Sequence, residues 1–184
     1  YKRQASGQSF RDFLKGRLPA LPGELPTITD WENHLTTAFP EVRLKKFLEM
    51  RGADGGPWAR LCALPALWAG LLYHQPSLDA AWDISRDWSM EERLKLRTDV
   101  PRLGLKAVIR QRTVGDIALE VIELARQGLT ARGRLNAAGD NESGFLSPLQ
   151  QVAESGITPA ERKLNCFQGE WNGSVDPVFT ECAS

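Results

Sequence analysis

The sequence is poor in cysteine and has no excess of charge of either sign. Its 184 residues include only three cysteines, which are too few and too widely spaced for a disulfide framework or a zinc site. Lys+Arg and Asp+Glu both number 23, so no overall field attracts nucleic acid or an anionic membrane. We therefore expect a protein of the reducing cytoplasm with neither nucleic acid nor membrane among its partners.

Long apolar runs and the common short motifs of enzymes are also missing. The longest apolar run, residues 61–73, is interrupted by Pro65 and is too short for a membrane span. The sequence contains no P-loop, dinucleotide fingerprint, nucleophile elbow or Cys-x-x-Cys. The first four residues, from Tyr1 to Gln4, contain no initiator Met, signal peptide or transit-peptide composition. We expect the chain to begin in mid-protein and residues 176–184 to form a natural end.

The composition that is present suits one folded domain. A hydrophobic content of 42%, with six tryptophans and eleven prolines, indicates a sizeable core and many loops. The fold class expected is α+β, with a sheet and active-site segment at 1–56 followed by a mostly helical segment at 57–184. The helix signals are a short segment at 9–16, a capping box from Thr29 to Glu32, a buried helix at 58–73, a helix at 78–86, a capping box from Ser89 to Glu92, an amphipathic helix at 113–131, and starts at Ser147 and Thr158.

A single strand is predicted over residues 42–51, and its side chains divide by parity. The even positions from Val42 to Met50 are mostly apolar and are expected to face a core. The odd positions are mostly charged and end at a turn rich in glycine. They are Arg43, Lys45, Phe47, Glu49 and Arg51.

Glu49 and Arg51 are the first candidates for chemistry. Two residues apart on a strand, their Cα atoms lie roughly 7 Å from each other on one face. A carboxylate can hold a metal ion there, while a guanidinium holds the phosphate or carboxylate that the metal bridges. The alternative is an ordinary solvated ion pair, which is common and weak. Gly52, Gly55 and Gly56 permit close approach of a ligand, or simply form a turn before Pro57.

Four further residues are weighed against ordinary roles. Glu32 and His34 are two apart on a helix and do not face each other, so we favour Glu32 as a cap and His34 as a polar contact. His74 is expected at a helix C-terminus, where the helix dipole favours it. Cys62, on the buried helix, is expected to be a small core residue.

Several stretches resemble the plant and proteobacterial branch of glutamate–cysteine ligase. The most specific is residues 29–58, TDWENHLTTAFPEVRLKKFLEMRGADGGPW, and LCALPALWAGLLY at 61–73 is similar. Shorter similarities occur at 87–88, 91–93, 100–105, 158–161 and 174–179. The resemblance covers nearly the whole chain but only the C-terminal part of the family's catalytic domain, so it implies a fragment whose missing N-terminal half is a partner.

The resemblance implies a fold and an activity. The fold is part of a curved antiparallel sheet like that of glutamine synthetase, and the activity joins glutamate to cysteine with ATP through an acyl phosphate. Glu49 would then be a Mg²⁺ ligand and Arg51 the catalytic contact to the transferred phosphoryl group, with Arg43 and Lys45 as weaker nucleotide-binding candidates. The family also implies a redox-linked disulfide at Cys62, whose partner would lie in the missing half.

Two other classes of function stay open at this point. A non-catalytic helical scaffold or interaction module would leave Glu49 and Arg51 as a surface ion pair. Binding of a nucleic-acid backbone by the odd face is disfavoured, because the chain has no net positive charge.

Overall fold

The computed structural model describes residue 5 and residues 7–181. The expectations about the first four residues, and about residues 182–184 at the expected natural end, therefore lie outside the described residues. The chain divides into two compact units, of which one ends at Ala53 and the other begins at Asp54. Helices dominate, and the strands form antiparallel pairs, which confirms the α+β class.

The first unit contains short elements. They are helices α1 (Phe10–Phe13) and α2 (Ile28–Leu35) and strands β1 (Val42–Leu44) and β2 (Leu48–Met50). The second unit contains helices α3 (Trp58–Leu72), α4 (Gln75–Ser85), α5 (Met90–Leu103), α6 (Val114–Arg132), α7 (Ser147–Ser155), α8 (Pro159–Gln168) and α9 (Val178–Glu181), 3₁₀ turns at Gly104–Lys106 and Glu142–Leu146, and strands β3 (Val108–Ile109) and β4 (Arg112–Thr113).

Helix α2 begins two residues earlier than the sequence predicted. Its N-cap is Thr27, whose hydroxyl accepts from the Asp30 backbone N–H at 3.2 Å, while the Asp30 carboxylate accepts from the Thr27 backbone N–H at 2.7 Å. The capping box predicted at Thr29 and Glu32 is therefore wrong. Aspartate closes the box in place of glutamate, and the Thr27 hydroxyl and N–H hold the pKa of Asp30 below its usual value.

The predicted strand over 42–51 is a hairpin and not one continuous strand. Strand β1 pairs antiparallel with β2, and residues 45–47 form the turn, where the Lys45 N–H donates to the Phe47 carbonyl at 2.9 Å. The segment folds back on itself because the hairpin pairs the backbone N–H and C=O groups of its two strands locally. The described strands form only two-stranded sheets, and the larger curved sheet that the resemblance implies remains a prediction.

The apolar face of the hairpin is exposed, which corrects the expectation that it faces a core. Leu44 and Leu48 lie opposite each other in register and are 79% and 58% exposed, and Val42 is 46% exposed. A two-stranded ribbon buries little by itself, because one sheet layer needs a second layer to cover its apolar face.

The core of the second unit forms where α3 crosses α6. Ala125 and Leu129 of α6 are fully buried, as is Leu146 from the following 3₁₀ turn. The helix backbones touch at Gly70 and Gly128. A Cβ atom at Gly70 would lie 2.8 Å from the Ala125 carbonyl carbon and closer still to its oxygen. Glycine is required there because any side chain would collide with the opposing backbone.

Helix α3 is buried on one face only, so the prediction of a buried helix holds for that face and is wrong for the other. Ala63, Ala66, Gly70 and Leu71 are buried, whereas Trp58 is 76% exposed. The Pro65 expected to bend the helix lies within it.

A buried serine ties α4 to α6. Ser77 is 2% exposed, and its hydroxyl donates to the Leu124 carbonyl at 2.7 Å. That bond uses the one hydroxyl proton, so the His74 ring N–H at Nδ1 must donate to Ser77 Oγ, 2.8 Å away. His74 is the N-cap residue of α4 and not the last residue of α3, which corrects its predicted place.

The later helix starts agree with the sequence. Ser89 with Glu92 and Thr158 with Glu161 form capping boxes, and Thr113 forms a third with Asp116. Gly133 ends α6 in the left-handed conformation, as expected of a C-terminal glycine.

Glu92 also binds Arg110, which ties the start of α5 to the β3–β4 hairpin. Arg110 Nε lies 2.6 Å from Glu92 Oε1, and a second guanidinium nitrogen lies 2.9 Å from Oε2. Arg110 and Gln111 form the hairpin turn with positive φ. The Arg110 hydrogen bonds and the Ser89 N–H lower the pKa of Glu92 from 4.5 to about 2.

We predict that this ion pair gives the protein acid-dependent stability. Because the folded-state pKa is depressed, the contribution of Glu92 is fully present above pH 4.5 and is lost as pH falls through about 2. The free energy of unfolding of Arg110→Ala should therefore lie below wild type at pH 7 and approach it towards pH 2. Urea denaturation at several pH values measures the difference.

Lys95→Ala serves as the control, since Lys95 and Asp99 form an exposed ion pair elsewhere on α5. It should change stability by less than about 0.5 kcal/mol at pH 7. A constant gap between Arg110→Ala and wild type from pH 7 to pH 2 would contradict the electrostatic origin.

No helix among the described residues is both long enough and apolar enough to cross a membrane.

Candidate functional site

The candidate site is the charged face of the β1–β2 hairpin. Arg43 and Glu49 are direct cross-strand partners. Arg51 comes directly after β2 and, like them, is at an odd position. Lys45 stands at the start of the turn. A turn centred on residue 46 pairs odd positions with odd positions, so folding into a hairpin keeps all four candidates on one face.

Glu49 is the centre of this face. Its Oε2 atom accepts a hydrogen bond from Arg43 Nε at 2.7 Å and lies 3.6 Å from Arg51 Nε. Its Oε1 atom lies 3.9 Å from Lys45 Nζ. The structure therefore brings together all four residues that the sequence singled out. We name this group, Arg43, Lys45, Glu49 and Arg51, the hairpin cluster.

The hairpin cluster carries an excess of positive charge. The hydrogen bond from Arg43 is the main cause that lowers the pKa of Glu49, and the charges of Lys45 and Arg51 act in the same direction. Glu49 is thus ionised at neutral pH, and its single negative charge faces three cations. The two uncompensated positive charges suit an anion with several oxygens, such as a phosphate chain.

The hairpin cluster fits a metal ion only in part. The described residues contain no group of three or more His, Cys, Asp or Glu that could hold a metal. Glu49 is one carboxylate, and its Oε1 atom lies 3.9 Å from Lys45 Nζ, whereas Mg²⁺ takes about six oxygens. The remaining ligands would have to be phosphate oxygens, water and groups from outside this chain.

Two neighbours of Arg51 were missed by reasoning from the sequence. The Arg51 N–H donates to the Glu41 carbonyl at 2.9 Å, and the Arg51 guanidinium lies 5.9 Å from the Phe39 ring centroid. A Cβ atom at Gly52 would lie 2.7 Å from the Glu41 carboxylate, so Gly52 makes room for that side chain. The hairpin register places Glu41 opposite Arg51, and only recognition of the turn at 45–47 would have shown it.

The other candidates lie outside the hairpin cluster. His34 stacks on Phe10 with ring centroids 4.3 Å apart and contacts Trp31, so it is part of an aromatic group. Cys62 is a free cysteine of intermediate burial on α3. Its predicted redox role stays a prediction.

The comparison with protein families identifies the class. The family model described as glutamate-cysteine ligase family 2 (GCS2) matches residues 6–181. Since this is nearly the whole chain, the protein belongs to that family, which confirms the resemblance drawn from residues 29–58.

Relatives from several plants are similar over 176 residues, or 96% of this chain. The chain is 57% identical to glutamate–cysteine ligase A, chloroplastic, of Oryza sativa subsp. indica and covers 35% of that protein. It is 55% identical to the chloroplastic enzyme of Arabidopsis thaliana, covering 33%, and 53% identical to that of Solanum lycopersicum, covering 32%. The chain thus spans about a third of the length of the relatives it matches.

The expectation of a cytoplasmic protein is wrong, because these relatives are named chloroplastic enzymes. The inference failed because a low cysteine content argues only against a disulfide-stapled fold and does not distinguish one reducing compartment from another.

Proposed function

We propose that this chain is part of an ATP-dependent glutamate–cysteine ligase and supplies phosphate-binding groups to its active site. The product is γ-glutamylcysteine, the first intermediate of glutathione biosynthesis. The proposed compartment is the plastid, because the relatives are named chloroplastic enzymes. The observation that carries the proposal is the hairpin cluster, in which Arg51 and Arg43 flank an ionised Glu49 in a chain of this family.

The proposed chemistry follows from the low reactivity of a carboxylate. ATP transfers its γ-phosphoryl group to the side-chain carboxylate of glutamate, which gives an acyl phosphate and ADP. The amine of cysteine then attacks the acyl carbon, the amide bond forms and phosphate leaves. Arg51 contacts the moving phosphoryl group, while Arg43 and Lys45 balance charge on the phosphate chain.

Glu49 has a double role in this proposal. It orients Arg43 and Arg51 through its Oε2 atom, and its Oε1 atom is available as one ligand of a Mg²⁺ ion. When bound with ATP, Mg²⁺ neutralises charge on the phosphate oxygens and aligns them. The other metal ligands, and most of the glutamate and cysteine pockets, belong to the part of the ligase outside this chain.

The proposal predicts that the isolated chain makes no γ-glutamylcysteine, whereas a chimera does. In the chimera, the chain replaces the matching third of the Arabidopsis thaliana relative. Product and ADP are measured together in the presence of glutamate, cysteine, ATP and Mg²⁺. Turnover by the 184 residues alone would refute the fragment interpretation, and a folded chimera without turnover would refute the ligase proposal.

Glu49→Gln in the chimera should raise the Mg²⁺ concentration needed for half-maximal activity, on the order of tenfold. An amide oxygen is a weaker ligand than a carboxylate for a hard cation. A Mg²⁺ titration at saturating ATP measures the shift.

Glu41→Gln is the matched control, because Glu41 is on the same hairpin but is not assigned to the metal. Its titration should stay within about twofold of wild type. Equal shifts for both variants, or none for either, would remove Glu49 from the metal site.

A further inference from the structure

We propose that the exposed face of α3 is the surface on which the rest of the ligase packs. This inference rests on the proposed function, since it takes the chain to work as part of a longer polypeptide. It concerns a surface in the second unit, whereas the hairpin cluster belongs to the first.

The exposed residues of α3 other than Ala59, in its first turn, form one narrow stripe. Trp58, Leu61, Pro65 and Leu72 recur at intervals of three, four and seven residues. At about 100° per residue, these four positions fall within about 60° of arc. We call them the α3 stripe.

The α3 stripe lies away from the packed face of the same helix. The buried positions of α3 are Ala63, Ala66, Gly70 and Leu71, and all of them fall outside the arc of the stripe. Trp58 is 76% exposed, Leu61 46% and Leu72 36%. Arg60 is the one charged residue of the helix sequence, so the stripe has no charged member.

A contiguous apolar stripe of this kind indicates a buried contact. Single exposed apolar residues are ordinary, but a helix that is apolar all round is typical of a core with neighbours on both sides. Within the second unit, such neighbours pack only against the face of α3 that carries its buried residues.

The occupant we assign is the part of the ligase that this chain does not include. The relatives match the chain over about a third of their length, so about two-thirds of their polypeptide is available to cover it. The chemistry of the stripe requires a largely apolar surface on that part. A second copy of this chain and continued solvent exposure are the alternatives that the experiment distinguishes.

Hydroxyl-radical labelling tests the assignment without reference to activity. Oxidation of Trp58 and Leu61 is measured by mass spectrometry in the isolated chain and in the Arabidopsis chimera. Burial at a protein-like interface should lower labelling in the chimera roughly fivefold or more. Leu164, a leucine of similar exposure (51%) on α8, is the matched reference and should change less than about twofold.

A pair of variants gives a second measurement. Leu61→Asp should lower the Tm of the chimera by about 8 °C but that of the isolated chain by less than about 2 °C, because only the chimera buries this position. Leu164→Asp should have a small effect on both proteins.

Unchanged labelling in the folded chimera would overturn the proposal, whether or not the chimera is an active ligase. Protection in the isolated chain that grows with protein concentration, together with dimerisation, would overturn it in favour of a second copy. A protected stripe in a chimera that lacks ligase activity would support the surface and refute the proposed function, so the two proposals fail separately.

Discussion

Arg51→Lys should lower kcat of the chimera nearly as much as Arg51→Ala, on the order of 10²–10³-fold for both variants. Lysine keeps the charge but loses the planar fork that can hold two phosphoryl oxygens at once. The effect should fall mainly on kcat, because the contact strengthens as charge develops during transfer, and such a loss matches removal of one preorganised donor. Steady-state kinetics at saturating substrates measures it, with circular dichroism as the check on folding.

Lys46→Ala is the control. Lys46 lies in the turn of the same hairpin but at an even position, whereas all members of the hairpin cluster are at odd positions. It should keep kcat within about twofold of wild type. If Arg51→Lys and Arg51→Ala both fold and keep wild-type kcat, the cluster is a surface ion-pair network and the scaffold hypothesis becomes the better one.

Gly70→Ala or Gly128→Ala should destabilise the chain by about 3 kcal/mol and lower its Tm by about 10 °C. A Cβ atom at Gly70 would collide with the Ala125 backbone, and one at Gly128 would collide with the Gly70 backbone. Neither obstacle is a side chain that could rotate away, so α3 and α6 must separate to accept a methyl group. Thermal denaturation followed by circular dichroism measures the change.

Gly115→Ala, near the start of α6, is the matched control. Its added Cβ would meet its nearest neighbours, Leu105 O and Thr113 Oγ1, at an ordinary 3.5 Å. Since alanine favours a helix over glycine, this variant should be as stable as wild type or more stable, by up to about 1 kcal/mol. Equal losses at Gly115 and Gly70 would show that the helix contact is not the cause.

Sequence reasoning succeeded where structure is local. Ser89 with Glu92 and Thr158 with Glu161 bond over three residues, so the residue types alone specify the helix start. The same rule misplaced the start of α2. Two capping boxes are possible there, Thr27 with Asp30 and Thr29 with Glu32, and the structure forms the first. Two candidate boxes two residues apart cannot be ranked by residue type alone.

The hairpin shows how a correct grouping of residues can come from an inexact structure. A strand over 42–51 and a hairpin turning at residue 46 put the same side chains on the same face, so the grouping of Arg43, Glu49 and Arg51 did not depend on the turn. The roles of Glu41 and Phe39 did depend on it and were missed. Burial of Leu44 was predicted wrongly, since alternation indicates an apolar face without indicating what covers it.

Contacts between helices could not be predicted from the sequence for a different reason. Nothing near Gly70 in the sequence points to Gly128, and the bond from Ser77 to Leu124 spans 47 residues. Such contacts depend on how whole elements pack, and hydrophobic periodicity gives a helix face without its partner.

The hairpin cluster has one further consequence. Its four members and Glu41 lie within eleven consecutive residues, 41–51, so their mutual contacts close only short loops. Loop-closure entropy is small over such distances, and a short hairpin can form within microseconds. The hairpin cluster and Glu41 therefore belong to one contiguous segment of the chain. Exchange of this single segment between members of the family would transfer all of these contacts at once, without the coordinated changes that a site assembled from distant helices would require.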